Sequence, residues 1–274
     1  MKTLFFGTSS FAVPSLRATA SHSDLAGVVT QPDRPAGRGQ KLRPSPVKSC
    51  ALELGVRVYE PLKLREFAAS IAGEAFDLFV LASYGRILPQ ELLALPRLGA
   101  LNVHPSLLPK YRGATPIQAA LLNGDAETGV SLMLMDAGLD TGDVVSSQRV
   151  AIAPDETYGE LHDRLALTGA GLLARALEHA ASGAPLPRAA QSGEASLTKP
   201  IGKDDLTVDW SWPARRIVDH VRALSPQPAA RATVGGETVK VLRAHVGDDG
   251  EVKIDELIAP NRGRMSWAQY VQSK

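Results

Sequence analysis

Residues 99–109 read GALNVHPSLLP, and residues 138–143 read GLDTGD. The first stretch has the pattern of a short buried strand that runs into a proline-bounded loop. Side chains two positions apart in a strand point to the same face, so we expect Asn102 and His104 to project together, about 7 Å apart along the strand. A carboxylate from Asp140 could fix the imidazole tautomer or hold a water beside it. An amide, an imidazole and a carboxylate together suit acyl transfer without a covalent enzyme intermediate, although the spacing alone also allows a structural role.

The pattern on both sides of this strand predicts the fold. Short apolar segments alternate with helical patterns through about the first 180 residues, which predicts an α/β fold with a doubly wound, Rossmann-like, mostly parallel sheet. The predicted strands are Thr3–Phe6, Leu25–Thr30, Val56–Tyr59, Asp77–Ala82 and Gly99–Val103, and the predicted helices include Leu64–Ala72 and Gln90–Leu95. Ligands of such sheets bind outside the carboxyl ends of the strands, where Tyr84-Gly85 and Asn102–Pro109 fall.

The second half of the chain predicts a long helix, a linker and a small domain. Thr157 and Glu160 form a capping box, and Gly183 is placed to end the helix. We therefore predict a domain of residues 1–183, a linker of residues 184–205 and a β-rich, OB-like and short domain of residues 206–274. Its predicted strands are Ala230–Val234, Thr238–Leu242 and Val252–Leu257, with a hairpin signal at Gly235-Gly236.

Composition and charge exclude several classes of protein. The 274 residues are 44% hydrophobic and 22% charged with a net charge of +1, so nucleic acid could bind only at a local basic patch. Cys50 is the single cysteine, which excludes an internal disulfide. The apolar run Leu4-Phe5-Phe6 is too short for a signal peptide, and no run approaches the roughly 20 residues that span a bilayer. We expect a soluble, cytosolic monomer without membrane contact. The scattered histidines predict that there is no metal site.

The chain resembles the folate-dependent formyltransferases in the stretch Asn102-Val-His104-Pro-Ser-Leu-Leu-Pro109-Lys-Tyr-Arg112-Gly-Ala and in Gly138-Leu-Asp140-Thr-Gly-Asp143. The resemblance implies that Asn102, His104 and Asp140 are catalytic and that 10-formyltetrahydrofolate donates the formyl group. It also implies that Ser106, Leu107, Leu108 and Pro109 line a folate pocket. The turn with Tyr84, Gly85, Ile87 and Leu88 follows an adjacent strand end of the predicted parallel sheet, so we expect it to line the same cavity. We expect Asp136 and Gly138 to bind folate as well.

A basic loop indicates which molecule accepts the formyl group. Residues 30–48 read TQPDRPAGRGQKLRPSPVK, with five cationic residues against one aspartate. Four prolines and two glycines predict that the loop has no regular structure. A solvated surface loop is one interpretation. The loop is also similar to an insertion in those members of the family that formylate methionyl initiator tRNA, which implies that Arg34, Arg38, Lys41 and Arg43 contact tRNA phosphates.

Two other functions stay open at this point. An amino-sugar nucleotide formyltransferase would use the same chemistry, but a compact nucleotide does not require a long cationic loop. A catalytically inactive tRNA- or folate-binding protein is suggested by the tail, which is short and departs from the family pattern at Arg222–Arg231. Residues 206–274 hold 10 Lys and Arg against 8 Asp and Glu, so we expect this domain to contribute little to tRNA binding.

Overall fold

The structure is a computed structural model, and it describes residues 1–36 and 41–273. Arg38 therefore lies outside the described residues. The chain divides into two compact units that interleave along the sequence. Unit 1 consists of Met1–Arg112, Gly129–Arg149 and Arg164–Ser196, and unit 2 of Gly113–Thr128, Val150–Asp163 and Leu197–Lys274. The contiguous domain bounds expected from the sequence stay a prediction.

The described strands and helices follow in chain order. The first part of the chain contains β1 (Lys2–Gly7), α1 (Ala12–His22), β2 (Asp24–Val29), β3 (Arg34–Ala36), β4 (Lys41–Arg43), α2 (Pro46–Glu53), β5 (Val58–Tyr59), α3 (Leu64–Ile71), β6 (Leu78–Ala82), α4 (Gln90–Leu93) and β7 (Ala100–His104). The middle part contains β8 (Arg112–Gly113), α5 (Pro116–Leu122), β9 (Glu127–Leu134), β10 (Val144–Ala151), α6 (Tyr158–Ala181) and β11 (Leu197–Thr198). The last part contains a 3-10 helix (Asp204–Leu206), α7 (Ala214–Leu224), β12 (Ala230–Val234), β13 (Glu237–Val246), β14 (Val252–Ala259), β15 (Gly263–Ser266) and α8 (Trp267–Gln272).

The main sheet has the strand order β10-β9-β7-β6-β1-β2-β5. Neighbouring strands from β5 to β7 are parallel, and β9 is antiparallel to β7. The predicted mostly parallel α/β fold is confirmed. Strand β6 is buried at every position, as expected of a parallel strand covered on both faces. Because β6 and β7 are adjacent and parallel, the loops that follow them leave the sheet at the same edge.

Amphipathic helices supply the rest of the core of unit 1. Helix α3 places Leu64, Phe67, Ala68 and Ile71 in one apolar cluster, at the spacing of a helix with one buried face. The ring centroids of Phe6 and Phe79 lie 5.2 Å apart in the same cluster. Helix α6 begins as predicted, because Thr157 N and Oγ1 donate to Glu160 Oε2 over 2.9 and 2.7 Å, and Gly183 follows its end with φ +83°.

The prediction that the basic loop has no regular structure is wrong. Strands β3 and β4 pair in an antiparallel hairpin, with Arg34 opposite Arg43 and Pro35 opposite Leu42. The proline does not prevent pairing because both strands of a two-stranded ribbon are edge strands, where a missing N–H is tolerated.

Unit 2 contains the predicted small β-rich domain. Its antiparallel sheet has the order β12-β13-β14-β15, and α7 contributes Ile217, Val221 and Leu224 to the core. Strand β15 and helix α8 were not predicted, because Gly263–Ser266 has a single apolar side chain. A capping box of Ser266 and Gln269 marks the start of α8. OB-like closure of the sheet stays a prediction. No helix among residues 1–36 and 41–273 is long and apolar enough to cross a membrane.

Candidate active site

His104 ends strand β7 as a buried side chain whose Nε2 is hydrogen-bonded and whose Nδ1 faces a carboxylate. Nε2 lies 3.0 Å from the carbonyl oxygen of Tyr111, and Nδ1 lies 3.7 Å from Oδ2 of Asp140. A carbonyl oxygen can only accept, so Nε2 must carry the proton. Burial lowers the pKa of His104 below its ordinary value, against the raising effects of Asp140 and the Tyr111 carbonyl. The imidazole is therefore neutral near pH 7, with its lone pair on Nδ1.

The gap between His104 and Asp140 suits a proton donor. Neutral Nδ1 and the carboxylate are both acceptors, and 3.7 Å between them is too long for a direct hydrogen bond. A water or an amine N–H fits such a pair of acceptors. Of the two expected roles for Asp140, the geometry favours holding a donor beside the ring, because the Tyr111 carbonyl already fixes the tautomer.

Asn102 shares the face of His104, as the strand pattern predicts. Val103 points to the opposite face, where helix α6 packs: a Cβ added at Gly169 would lie 2.6 Å from Val103 Cγ1. Asn102 is half-buried, whereas Val103 and His104 are buried. Asn102 and His104 therefore lie on the face of the strand that α6 does not cover.

The loop after β7 is fixed by serines. Ser106 is fully buried, and its Oγ donates to Lys110 O over 2.6 Å. Ser131 of β9 donates to Ser106 O over 2.8 Å and accepts from Leu108 N over 3.1 Å. Ser106, which was predicted to line the folate pocket, thus holds its own loop in shape, and Ser131 was missed because an alternating strand pattern does not single out one serine.

The Asp140 loop is tightly folded. Asp140 has φ +52°, and the Asp136 carboxylate accepts from Gly138 N over 2.9 Å and from Thr141 Oγ1 over 2.6 Å. A Cβ at Gly138 would lie 2.0 Å from Thr141 Oγ1, and one at Gly142 would lie 1.7 Å from Leu134 O. Asp136 and Gly138, both predicted to bind folate, therefore shape the loop that carries Asp140.

Gly142→Ala tests how closely this loop must pack. The added methyl would meet backbone that cannot move without displacing the loop, so we expect the free energy of unfolding to fall by about 1–3 kcal/mol. Gly171→Ala is the matched control, because the added Cβ would lie no closer than 3.9 Å to Arg175 Nη1. Replacement of a glycine inside a helix by alanine should raise the free energy of unfolding by about 0.5–1 kcal/mol. Urea denaturation measures both, and equal stability of the two variants would contradict the tight packing of the Asp140 loop.

The loop after β6 has some side chains buried in the core and others exposed. The Tyr84 ring is buried at 5.6 Å from the Phe6 ring, and Leu88 is buried in the same core. Ile87 is 85% exposed. Thr8 Oγ1 and Gln31 Nε2 donate to Tyr84 O over 3.0 and 2.7 Å, which ties this loop to the ends of β1 and β2. The shared folate cavity of this loop and Ser106–Pro109 stays a prediction.

An ion triad anchors the base of the β3–β4 hairpin. Lys48 Nζ lies 2.9 Å from Asp33 Oδ1 and 2.8 Å from Glu60 Oε2. Hydrogen bonds to these two carboxylates raise the pKa of Lys48. Ser45 caps helix α2 through Lys48 N at 3.0 Å and pairs with Thr30 Oγ1 at 2.8 Å. The charge of Lys48 is thus neutralised within the protein, whereas the Arg43 side chain is exposed.

The single cysteine and clusters of metal-binding side chains are the remaining candidates for chemistry. Cys50 is buried on helix α2, and burial raises the pKa of its thiol, which makes it a poor nucleophile. Among residues 1–36 and 41–273, no three His, Cys, Asp or Glu side chains form a group that could hold a metal ion. Sequence reasoning missed Tyr111 and Gln191, since a backbone carbonyl leaves no sequence signal and Gln191 falls in a segment with the composition of a linker.

Comparison with known proteins gives the family of the chain. Residues 1–177 match the family Formyl transferase, and residues 200–255 match Formyl transferase, C-terminal domain. The chain is 46% identical over 253 residues to a methionyl-tRNA formyltransferase of Sorangium cellulosum, covering 92% of this chain and 81% of that protein. It is 48% identical over 257 residues to one of Acidovorax ebreus, covering 90% and 80%.

A solved structure shares the fold at lower identity. A 4-N formyltransferase from Francisella tularensis superposes with a TM-score of 0.69 at 17% identity, over 88% of this chain and 96% of that one. At that identity the likeness concerns the fold alone, whereas the family matches and the relatives above span most of the sequence. The chain belongs to the formyl transferase family, among the methionyl-tRNA formyltransferases.

Proposed function

We propose that this protein transfers the formyl group of 10-formyltetrahydrofolate to the α-amino group of methionyl initiator tRNA. The names of its relatives support the acceptor, and the family supports the folate donor. The observation that carries the chemistry is the geometry of buried His104, whose Nε2 binds Tyr111 O and whose Nδ1 lies 3.7 Å from Asp140 Oδ2. A cytosolic location, a monomeric state and a reaction without metal belong to the same proposal.

The proposed reaction needs one base and one oxyanion donor. The neutral α-amine attacks the formyl carbon, the C–N bond forms and the carbonyl oxygen becomes a tetrahedral oxyanion. The Asn102 amide stabilises that charge, and such a donor contributes about 3–4 kcal/mol. His104 Nε2 is not the oxyanion donor while it binds Tyr111 O. This leaves Nδ1 to take the proton that the attacking amine loses.

Asp140 makes that proton transfer favourable. Its carboxylate stabilises the imidazolium that forms when Nδ1 is protonated, because the two groups lie 3.7 Å apart in a buried setting. The proton on Nδ1, delivered directly or through a water, then goes to the folate nitrogen as its bond to the formyl carbon breaks. One N–C bond forms, one N–C bond breaks and one proton moves from the amine to folate, so atoms and charge balance.

One parallel assay separates this function from the alternatives. Purified protein and 10-formyltetrahydrofolate are offered charged methionyl initiator tRNA or an amino-sugar nucleotide. We expect formylation of the charged tRNA alone. Formylation of the sugar nucleotide alone would refute the tRNA acceptor and favour an amino-sugar nucleotide formyltransferase. Binding of folate or tRNA without any transfer would favour an inactive binding protein.

The hairpin supplies a second prediction about the acceptor. Arg34, Lys41 and Arg43 lie on the paired strands β3 and β4, and Lys48 fixes the base of this hairpin. A preorganised element costs less to order when tRNA docks. Arg38 falls between the two strands in the sequence. Arg38→Ala and Arg43→Ala should each lower kcat/KM for charged tRNA and flatten its dependence on salt by about one unit of logarithmic slope. The affinity for folate should barely change.

Steady-state kinetics over a range of salt concentrations measures this effect. Arg17→Ala is the control, because Arg17 is an exposed arginine of the same unit that pairs with Glu53 on helix α2. Unchanged activity on tRNA after substitution of both Arg38 and Arg43 would refute the hairpin's role and favour the sugar-nucleotide acceptor.

A further inference from the structure

Gln191 joins the Asp140 loop to the strand that follows the His104 loop. Its Nε2 donates to the carbonyl oxygens of Asp140 and Gly142 over 2.9 and 2.8 Å. Its Oε1 accepts from Nε and Nη2 of Arg112 over 3.1 and 2.6 Å. Arginine can only donate and carbonyls can only accept, so the amide orientation is fixed by its partners. The two ends of the amide thus provide the donor and the acceptor that this position uses.

These bonds complete a ring of contacts around His104. The imidazole binds Tyr111 O through Nε2 and faces Asp140 through Nδ1. Arg112 follows Tyr111 in the chain and holds Gln191, which in turn holds the backbone of Asp140. The groups that fix the two sides of the imidazole are therefore connected to each other through one glutamine side chain.

The backbone around Gln191 is itself tied down at both ends. Ala189 exchanges two hydrogen bonds with Val144, of 2.8 and 3.0 Å. Ser196 accepts from Tyr111 N through its Oγ over 2.8 Å and from Arg112 N through its carbonyl over 2.9 Å. The 189–196 segment thus binds both the start of β10 and the Tyr111 backbone, which makes Gln191 a fixed support for the Asp140 loop.

We infer that Gln191 is a positioning residue that sets the distance between the Asp140 carboxylate and His104 by holding the Asp140 loop to Arg112. The inference rests on the proposed function for its kinetic test. Asp140 has a left-handed backbone, and its carboxylate is directed by the backbone on either side of it. The two carbonyls that Gln191 binds belong to Asp140 and Gly142, so loss of these bonds releases the loop where the carboxylate is attached.

The kinetic test compares Gln191→Leu, Asp140→Asn and the double variant. Gln191→Leu should lower kcat roughly 100-fold with little change in KM, since misplacement of a reacting group by about 1 Å has that effect. In the double variant, Gln191→Leu should lower kcat little beyond the effect of Asp140→Asn, because both changes disrupt the same interaction between the Asp140 carboxylate and His104. Gln148→Leu is the matched control: this exposed glutamine also accepts from an arginine, Arg175, over 3.3 Å, and its loss should leave kcat unchanged.

Gln191→Glu separates the two sides of the amide and replaces Gln191→Leu if that variant does not fold. The new carboxylate still accepts hydrogen bonds from Arg112. It has no N–H to donate, so the bonds to the carbonyl oxygens of Asp140 and Gly142 are lost. We expect kcat to fall as in Gln191→Leu. An unchanged kcat in these variants, or a loss that multiplies fully with that of Asp140→Asn, would overturn the inference.

A readout without turnover keeps the inference separate from the proposed function. The His104 ring is followed by NMR as the pH is varied in the substrate-free protein. Both Asp140→Asn and Gln191→Leu should lower the pKa of His104, because each removes or displaces the carboxylate that raises it. A wild-type protein that fails to formylate tRNA would refute the proposed function alone, whereas an unchanged His104 titration in Gln191→Leu would refute the positioning role.

Discussion

Asp140→Asn is expected to lower kcat about a thousandfold or more while the binding of folate and tRNA stays close to normal. The substitution keeps the size of the side chain and removes the charge that stabilises the protonated imidazole of His104. Substitution of the carboxylate in catalytic triads has an effect of about four orders of magnitude. Single-turnover kinetics at saturating substrate measures the loss.

The pH dependence of the same variant has a defined sign. The neutral form of His104 is the active base, so kcat/KM should fall on acidification as pH passes through the pKa of His104, which burial places below its ordinary value. Asp140 raises this pKa, and Asp140→Asn should therefore move the acidic limb of the profile to lower pH.

A surface pair provides the control for Asp140→Asn. His245 Nδ1 lies 2.9 Å from Asp255 Oδ1 with both side chains exposed, so Asp255→Asn removes a histidine–aspartate pair without touching the candidate site. It should leave kcat unchanged. Activity of Asp140→Asn within about fivefold of wild type, a loss of only about 1 kcal/mol, would contradict the role assigned to Asp140.

Asp219→Ala should be strongly destabilising, because it removes the carboxylate partner of a buried arginine. Asp219 and Arg222 are both buried on helix α7, with Arg222 Nε 2.7 Å from Asp219 Oδ1, and Arg222 Nη1 lies 3.4 Å from Ala153 O. Removal of the carboxylate leaves a buried guanidinium uncompensated, which typically costs about 3–5 kcal/mol. Chemical denaturation of the isolated protein measures the change.

Two control variants isolate the buried charge as the cause. Arg215 pairs with the same carboxylate at 3.0 Å but its side chain is 54% exposed, so Arg215→Ala should cost no more than about 1 kcal/mol. The double variant Asp219→Leu with Arg222→Met removes both charges and should regain most of the lost stability. If the double variant is as unstable as Asp219→Ala, the loss comes from packing and the explanation through the unpaired arginine is wrong.

The elements with strong local patterns were predicted well from the sequence. The five predicted strands of the main sheet and the capped helix α6 lie within about two residues of their predicted bounds, because burial and capping act through neighbouring residues. Strands β9 and β10 were not predicted. Asn102 and His104 could be placed on one face from the two-residue period of a strand. The resemblance to a family, and not the spacing, assigned them a role.

The supports of the site could not be predicted in this way. The hydrogen bond from His104 to Tyr111 uses a backbone carbonyl, which every residue has. Gln191 lies more than 50 residues after Asp140 in the sequence, in a stretch whose glycine and polar residues are typical of linkers. The β3–β4 hairpin was missed because its prolines argue against pairing unless both strands are known to be edges. Of these features, the Gln191 contacts join segments that lie far apart in the sequence, which no local pattern can indicate.

The rate of formyl transfer to charged initiator tRNA, measured in a single turnover for wild type and His104→Ala, tests the central claim most directly. With 10-formyltetrahydrofolate as donor, the wild-type protein should formylate the methionyl α-amine. His104→Ala should bind both substrates but transfer at least about a thousandfold more slowly, because the imidazole that accepts the amine proton is gone. Transfer by His104→Ala at the wild-type rate, or no transfer by the wild-type protein, would contradict the account.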